Sequence, residues 1–267
     1  LQQSLVQDGH SFLKEKNLLQ NLARRLEVDE AKLHAALDKL VEEEMVVRFD
    51  PDNPDLLKLE VEFGSNLPAE ADPEKAVIAM RSVFMLEQDL TRTVRVLAGR
   101  PEAQCEIDPR YSDTIYCDRV ISKAAAQTSF RIDSEEIITP GKDQIKALQM
   151  ALTAPFSILT GGPGTGKTST VRLLTRILLA DGLEVKLAAP TGRAARRMEE
   201  VCQMEATTIH RLLDLQLDDN YIPGIKEYEK IDADYLIIDE CSMIDLFLFY
   251  RLLKSVDSST QILLIGD

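Results

Sequence analysis

No stretch of the 267-residue chain approaches the roughly 18 apolar residues that a membrane-spanning helix needs. The N-terminus has no basic region followed by an apolar run, so no secretory signal is visible. Cysteine is scarce. Cys105, Cys117, Cys202 and Cys241 form no C-x-x-C pair, and no histidine cluster accompanies them. A disulfide framework and a structural zinc site are therefore not indicated, and reduced thiols in the cytoplasm are the expectation. Positive charge is also in short supply: 45 acidic side chains face 31 basic ones, a formal charge of −14. That balance argues against a protein that coats nucleic acid by bulk electrostatics. A local basic groove survives the argument, so charge has to be read by segment. The first residue is Leu rather than Met, and the expectation is that sequence is missing upstream.

What is present begins with a helical rhythm. Leu18, Leu19, Leu22 and Leu26 share one helix face, and Asp29 can cap a second helix whose stripe is Leu33, Ala36, Leu37, Leu40 and Val41. "MVVRF", the turn-rich "DPDNPD" and "LLKLEVEF" read as a hairpin. Residues 1–66 are thus expected to form a winged-helix-like module. Its second helix carries Asp29, Glu30, Asp38, Glu42, Glu43 and Glu44 against Lys32 and Lys39, which a phosphate backbone would repel. A scaffolding or protein-contact role is preferred over a DNA-groove role. Residues 67–140 are read as a helical segment plus a linker or insertion. The helix would take Asp72 as N-cap, Pro73 as first residue and Gly99 as stop, with the remainder from about Arg100 to Pro140 left without a motif.

From residue 141 strand and helix patterns alternate, which means a parallel α/β sheet. "PFSILTGGPGTGKTST" is an apolar strand, a Gly-rich loop and a helix, and it fits G-x-x-x-x-G-K-[ST] at Gly161, Gly166, Lys167 and Thr168. Glycines let successive N–H groups curl toward phosphate oxygens, and the helix adds its positive end. Gly162, Pro163, Gly164, Thr165, Gly166, Lys167, Thr168 and Ser169 are the expected ATP-contacting residues, with Lys167 on the phosphates and Thr168 on Mg²⁺. "DYLIIDE" places Asp239 and Glu240 at a strand's C-terminal end, where ligands bind in open α/β sheets. Asp239 would serve Mg²⁺ and Glu240 the attacking water, so Lys167, Asp239 and Glu240 are the catalytic candidates.

Other stretches narrow the class. "APTGRAARRMEE" sets Thr191, Arg193, Arg196 and Arg197 just past a strand, a cluster suited to a single-strand phosphate track or simply a solvated helix face. "TTIHRLLDL" reads as a short helix, with Thr208 as a possible N-cap and His210 either structural or functional. Gln144 precedes the Gly-rich strand, and its amide can both donate to and accept from an adenine edge. The chain closes on "QILLIGD", a run that reads as a buried strand.

Taken in order, "DQIKAL", "LTGGPGTGKTST", "LAAPTGRAARRMEE", "TTIHRLL", "LIIDECSMID" and "QILLIGD" resemble RecD-type DNA helicases of superfamily 1, the 5′→3′ branch, and most of all the stand-alone RecD/TraA-like bacterial kind. The resemblance is strong over Gln144–Asp267 and weak before it. It implies a RecA-like P-loop motor domain over 141–267, incomplete at its end, with ATP and Mg²⁺ as cofactors and single-stranded DNA as partner. It implies that Gln144 reads adenine and that Thr191, Arg193 and His210 lie along the DNA path or couple it to the nucleotide. A second motor domain, carrying an arginine finger, is expected beyond this chain. The fragment is therefore expected to bind nucleotide weakly and not to unwind DNA. Two other classes remain: a regulatory P-loop ATPase indifferent to DNA, and a non-catalytic adaptor. A GTPase is disfavoured because no N-K-x-D motif occurs.

Overall fold

The computed structural model describes residues 11–52, 75–101, 105, 108–129, 140–215 and 228–267. The chain divides into two compact units, Leu1–Arg92 and Thr93–Asp267.

In the first unit, β1 (Phe12–Lys14) leads into α1 (Glu15–Leu26) and α2 (Glu30–Glu42), followed by β2 (Val46–Phe49), β3 (Val77–Met80) and the start of α3 (Arg81–Ala98). Asp29 caps α2 as expected, its carboxylate accepting from the Ala31 N–H at 2.9 Å. The strands are antiparallel in the order β1-β3-β2. Leu19 and Leu37 bury their stripes against Val46 and Ile78. Val47, Phe49 and Ala79 pack on Phe84 and Met85. The buried Glu15 takes a two-pronged bond from Arg48, at 2.8 and 3.0 Å, and Arg48 also reaches Asp38 at 2.7 Å. Glu43 pairs with Lys39 and Glu44 with Arg81. Several acids on and just after α2 are thus engaged inside their own unit.

One expectation changes here. The proposed hairpin partner, 56–63, and the Asp72–Pro73 helix start lie outside the described residues. The helix itself begins at Arg81, because Val77–Met80 is the central strand of the sheet rather than a helical turn. An apolar tetrad fits a helical stripe and a buried strand equally well, and strand neighbours on both sides decide it.

The second unit holds a five-stranded parallel sheet flanked by helices, the α/β architecture expected from the alternating pattern. Strands β4 (Phe156–Thr160), β5 (Val185–Ala189), β6 (Ala206–Thr208), β7 (Tyr235–Ile238) and β8 (Gln261–Gly266) are all parallel, in the order β4-β8-β7-β5-β6. The helices are α4 (Thr114–Ser129), α5 (Lys142–Thr153), α6 (Lys167–Ala180), α7 (Gly192–Cys202), α8 (Ile209–Leu212) and α9 (Leu246–Ser255). β7 is buried throughout and β8 as far as Ile265, which accounts for their unbroken apolar runs. The stretch expected as one short helix from Thr207 is instead the strand β6 followed by the single turn α8.

The segment read as a linker is also corrected. Asp113 caps α4 by accepting from the Ile115 N–H at 2.9 Å, and Cys117, Ile121, Ala124 and Ala125 sink into the core with Leu148, Leu174 and Leu178. Tyr111 is buried and donates its hydroxyl to Asp181. Tyr111, Cys117, Ile121, Ala124 and Ala125 of this stretch are part of the second unit's core.

Arg100 is a further anchor. Its buried guanidinium donates to the carbonyls of Leu97, Asp257, Ser258 and Thr260 at 3.1, 3.1, 2.6 and 2.9 Å, fixing the turn that feeds β8. Charge-assisted bonds contribute about 1.5–3 kcal/mol each, and orphaned buried carbonyls add a cost. Arg100→Ala should therefore lower unfolding free energy by about 3 kcal/mol or more, measured by urea titration. A loss under about 1 kcal/mol would refute this role.

Candidate functional site

The C-terminal ends of β4, β7 and β8 open on one side of the sheet, where an α/β fold places ligands. A cleft of about 310 Å³ lies there. The cleft is lined by the loop from Gly162 to Gly166, by Lys167, Thr168 and Ser169 at the start of α6, by Asp239 and Glu240 beyond β7, and by Gly266 and Asp267 at the end of β8. α7 contributes Arg197, Met198 and Cys202.

The loop's shape depends on glycine. Gly164 and Gly166 have φ of +80° and +84°, which side chains rarely tolerate. At Gly166 a side chain would also run into the Gln144 amide. The loop thus forms a backbone cradle at the N-terminus of the 14-residue helix α6, the arrangement that suits a phosphate.

Lys167 leans across this cradle. Its ammonium donates to the Gly161 carbonyl and pairs with Asp267 at 2.6 Å. Asp239 follows the last residue of β7, its own N–H held by the Ala188 carbonyl at 3.0 Å, and its Oδ1 accepts from the Glu240 N–H at 2.9 Å. Glu240 sits at φ 55°, a left-handed conformation unusual for a residue with a side chain. Such strain costs of order 1–3 kcal/mol and persists where the surroundings impose it. Thr168 and Asp239 bring hard oxygen donors to one cleft, a set that fits Mg²⁺. Burial pushes the Cys202 thiol up to about 11 and the Cys241 thiol up to about 12, so both stay protonated near neutrality and offer no thiolate ligand.

Gln144 lies beside the loop. Its Oε1 accepts from the Gly141 N–H at 2.8 Å, and its Nε2 donates to the Gly166 carbonyl at 3.2 Å. One lone pair and one N–H remain for a base edge.

The residues proposed for DNA separate. Thr191 caps α7, its hydroxyl accepting from the Ala194 N–H at 3.2 Å, and Arg193 is exposed in the first turn. Arg196 lines a second, open groove with Arg211, beside Glu199, Glu200 and Glu205. Arg197 turns to the cleft instead. His210 is exposed on α8, outside both cavities. Neighbours on a helix point about 100° apart, so the division of Arg196 from Arg197 was available from the sequence and was missed by treating the arginines as one cluster.

A profile of an AAA domain family matches residues 144–267. The RecBCD enzyme subunit RecD of Mycolicibacterium smegmatis is 33% identical over 176 residues, 57% of this chain and 32% of that protein. The ATP-dependent RecD2 DNA helicase of Deinococcus radiodurans is 32% identical over 270 residues, 100% of this chain and 33% of that protein. The RecBCD enzyme subunit RecD of Haemophilus influenzae is 37% identical over 145 residues, 45% of this chain and 22% of that protein. The chain therefore spans a third or less of the length of these relatives.

Proposed function

We propose, for a chain that is RecD-like in sequence along its whole length, that it is the N-terminal part of an ATP-dependent DNA helicase moving 5′→3′ on single-stranded DNA. The observation that carries the reading is the meeting of the glycine cradle, Lys167, Thr168, Asp239 and Glu240 in one cleft. The RecD2 relative is itself named an ATP-dependent DNA helicase.

The chemistry follows from these parts. Backbone N–H groups of the cradle surround the β- and γ-phosphates of ATP, and Lys167 exchanges Asp267 for phosphate oxygens. Thr168 and Asp239 would hold Mg²⁺, which would supply positive charge to neutralise the phosphates. Glu240 orients the attacking water and takes its proton. Gln144 reads the adenine edge. Thr191, Arg193, Arg196 and His210 form the DNA side, with Arg193 and Arg196 free of ion pairs among the described residues. A second motor domain in the parent chain supplies the positive finger, worth ~10³–10⁵ in rate. Among the described residues no helix is long and apolar enough to cross a membrane; the proposed place of action is the cytoplasm, in DNA recombination or repair.

A regulatory ATPase remains the second reading. It is favoured by the three glutamates that share a groove with Arg196 and Arg211, a poor surface for a phosphate track.

Strand displacement tests the finer claims. The full-length parent should unwind a duplex with a 5′ single-stranded overhang and leave a 3′-overhang duplex intact. The isolated 267-residue chain should unwind neither. Unwinding from a 3′ overhang would refute the polarity, and strand separation by the isolated chain would refute its dependence on a second motor domain.

A further inference from the structure

We infer that Arg197 is a nucleotide residue rather than a DNA residue: its guanidinium binds the triphosphate in the cleft, and α7 is shared between nucleotide and DNA. The inference rests on the cleft being an ATP site and adds a phosphate-binding cation to it.

Three observations point the same way. α7 buries Ala195, Met198 and Cys202 in the core, which fixes its rotation and sends Arg197 to the cleft and Arg196 to the outer groove. Next, the charge balance of the cleft is unfavourable to a polyphosphate. Its lining holds three carboxylates, Asp239, Glu240 and Asp267, against two cations, Lys167 and Arg197. One of these cations, Lys167, already faces Asp267 at 2.6 Å. Arg197 has no hydrogen bond or ion pair among the described residues, in contrast to Arg48, Arg81, Arg100 and Arg110. It is the cation that can meet an incoming phosphate without first leaving a carboxylate.

The third observation is chemical. Guanidinium is planar, permanently charged and suited to two-pronged phosphate binding, so it complements the single ammonium of Lys167. Arg193 and Arg196 lie on the same 11-residue helix, so one element carries both the cleft-facing arginine and the outward-facing ones.

The test uses the full-length parent with Arg197→Ala, Arg197→Lys and Arg196→Ala. The first readout is binding of a fluorescent ATP analogue with Mg²⁺ and no DNA. Arg197→Ala should weaken it about tenfold or more, and Arg197→Lys should recover part of the loss. In steady-state hydrolysis with saturating oligo(dT), KM for ATP should rise with kcat changed much less, as expected when a ground-state contact is lost. Arg196→Ala should instead raise the oligo(dT) concentration needed for half-maximal stimulation. Arg197 is exposed, so its truncation should leave the thermal midpoint unchanged. Wild-type nucleotide affinity in Arg197→Ala with weakened oligo(dT) binding would overturn the inference. Failure of the wild-type protein to bind the analogue at all would overturn the ATP-site reading beneath it.

Discussion

A Lys167→Ala variant of the full-length parent is expected to lose ATP hydrolysis by at least ~100-fold while keeping its fold. The reason is position and charge. Lys167 stands at the first turn of α6, where the cradle's N–H groups converge, and its ammonium is the one cation that reaches the loop carbonyl of Gly161 and Asp267 among the described residues. Removing one preorganised charge from the developing phosphoryl group typically costs ~10²–10³ in rate. Its side chain is 18% exposed and its ion pair lies at the cleft surface, so little stability should leave with it. The check is phosphate release at saturating ATP beside circular dichroism. Hydrolysis within tenfold of wild type, in a folded variant, would remove Lys167 from the catalytic set.

The second large effect is expected at Glu240. Glu240→Gln keeps size and shape but cannot take a proton, and losing general-base assistance costs about 10²–10⁴-fold. Nucleotide binding should survive, because the cradle, Lys167 and Asp239 are untouched. Glu240 is held between Asp239 and the turn Cys241–Met243, at the lip of the cleft. Single-turnover hydrolysis with the fluorescent analogue separates the two steps. Slow chemistry with near-normal binding is the expected pair. Equal losses of binding and chemistry would make Glu240 a structural residue instead.

The cleft was readable in the sequence because its parts are local. A strand, a glycine turn and a helix start are contiguous from Phe156 to Ser169, and β7 delivers Asp239 and Glu240 within one short run. The buried strands were readable for the same reason, since a sheet covered on both faces leaves no polar alternation. Elsewhere the decision was made by partners distant in sequence. Val77–Met80 became a strand only because β1 and β2 flank it. Residues 114–125 were read as part of a linker for want of a motif, yet Cys117, Ile121, Ala124 and Ala125 have helical spacing and Asp113 is a legible cap. Arg197 is a similar case: periodicity alone would have parted it from Arg196, but composition grouped the two.

The most direct test of the central claim is the ATPase rate of the full-length parent with and without single-stranded DNA. A DNA-driven motor predicts strong stimulation by oligo(dT) that disappears in Lys167→Ala. Hydrolysis of the same rate with and without DNA would contradict it and leave a regulatory ATPase, with the outer arginines of α7 as a solvated helix face.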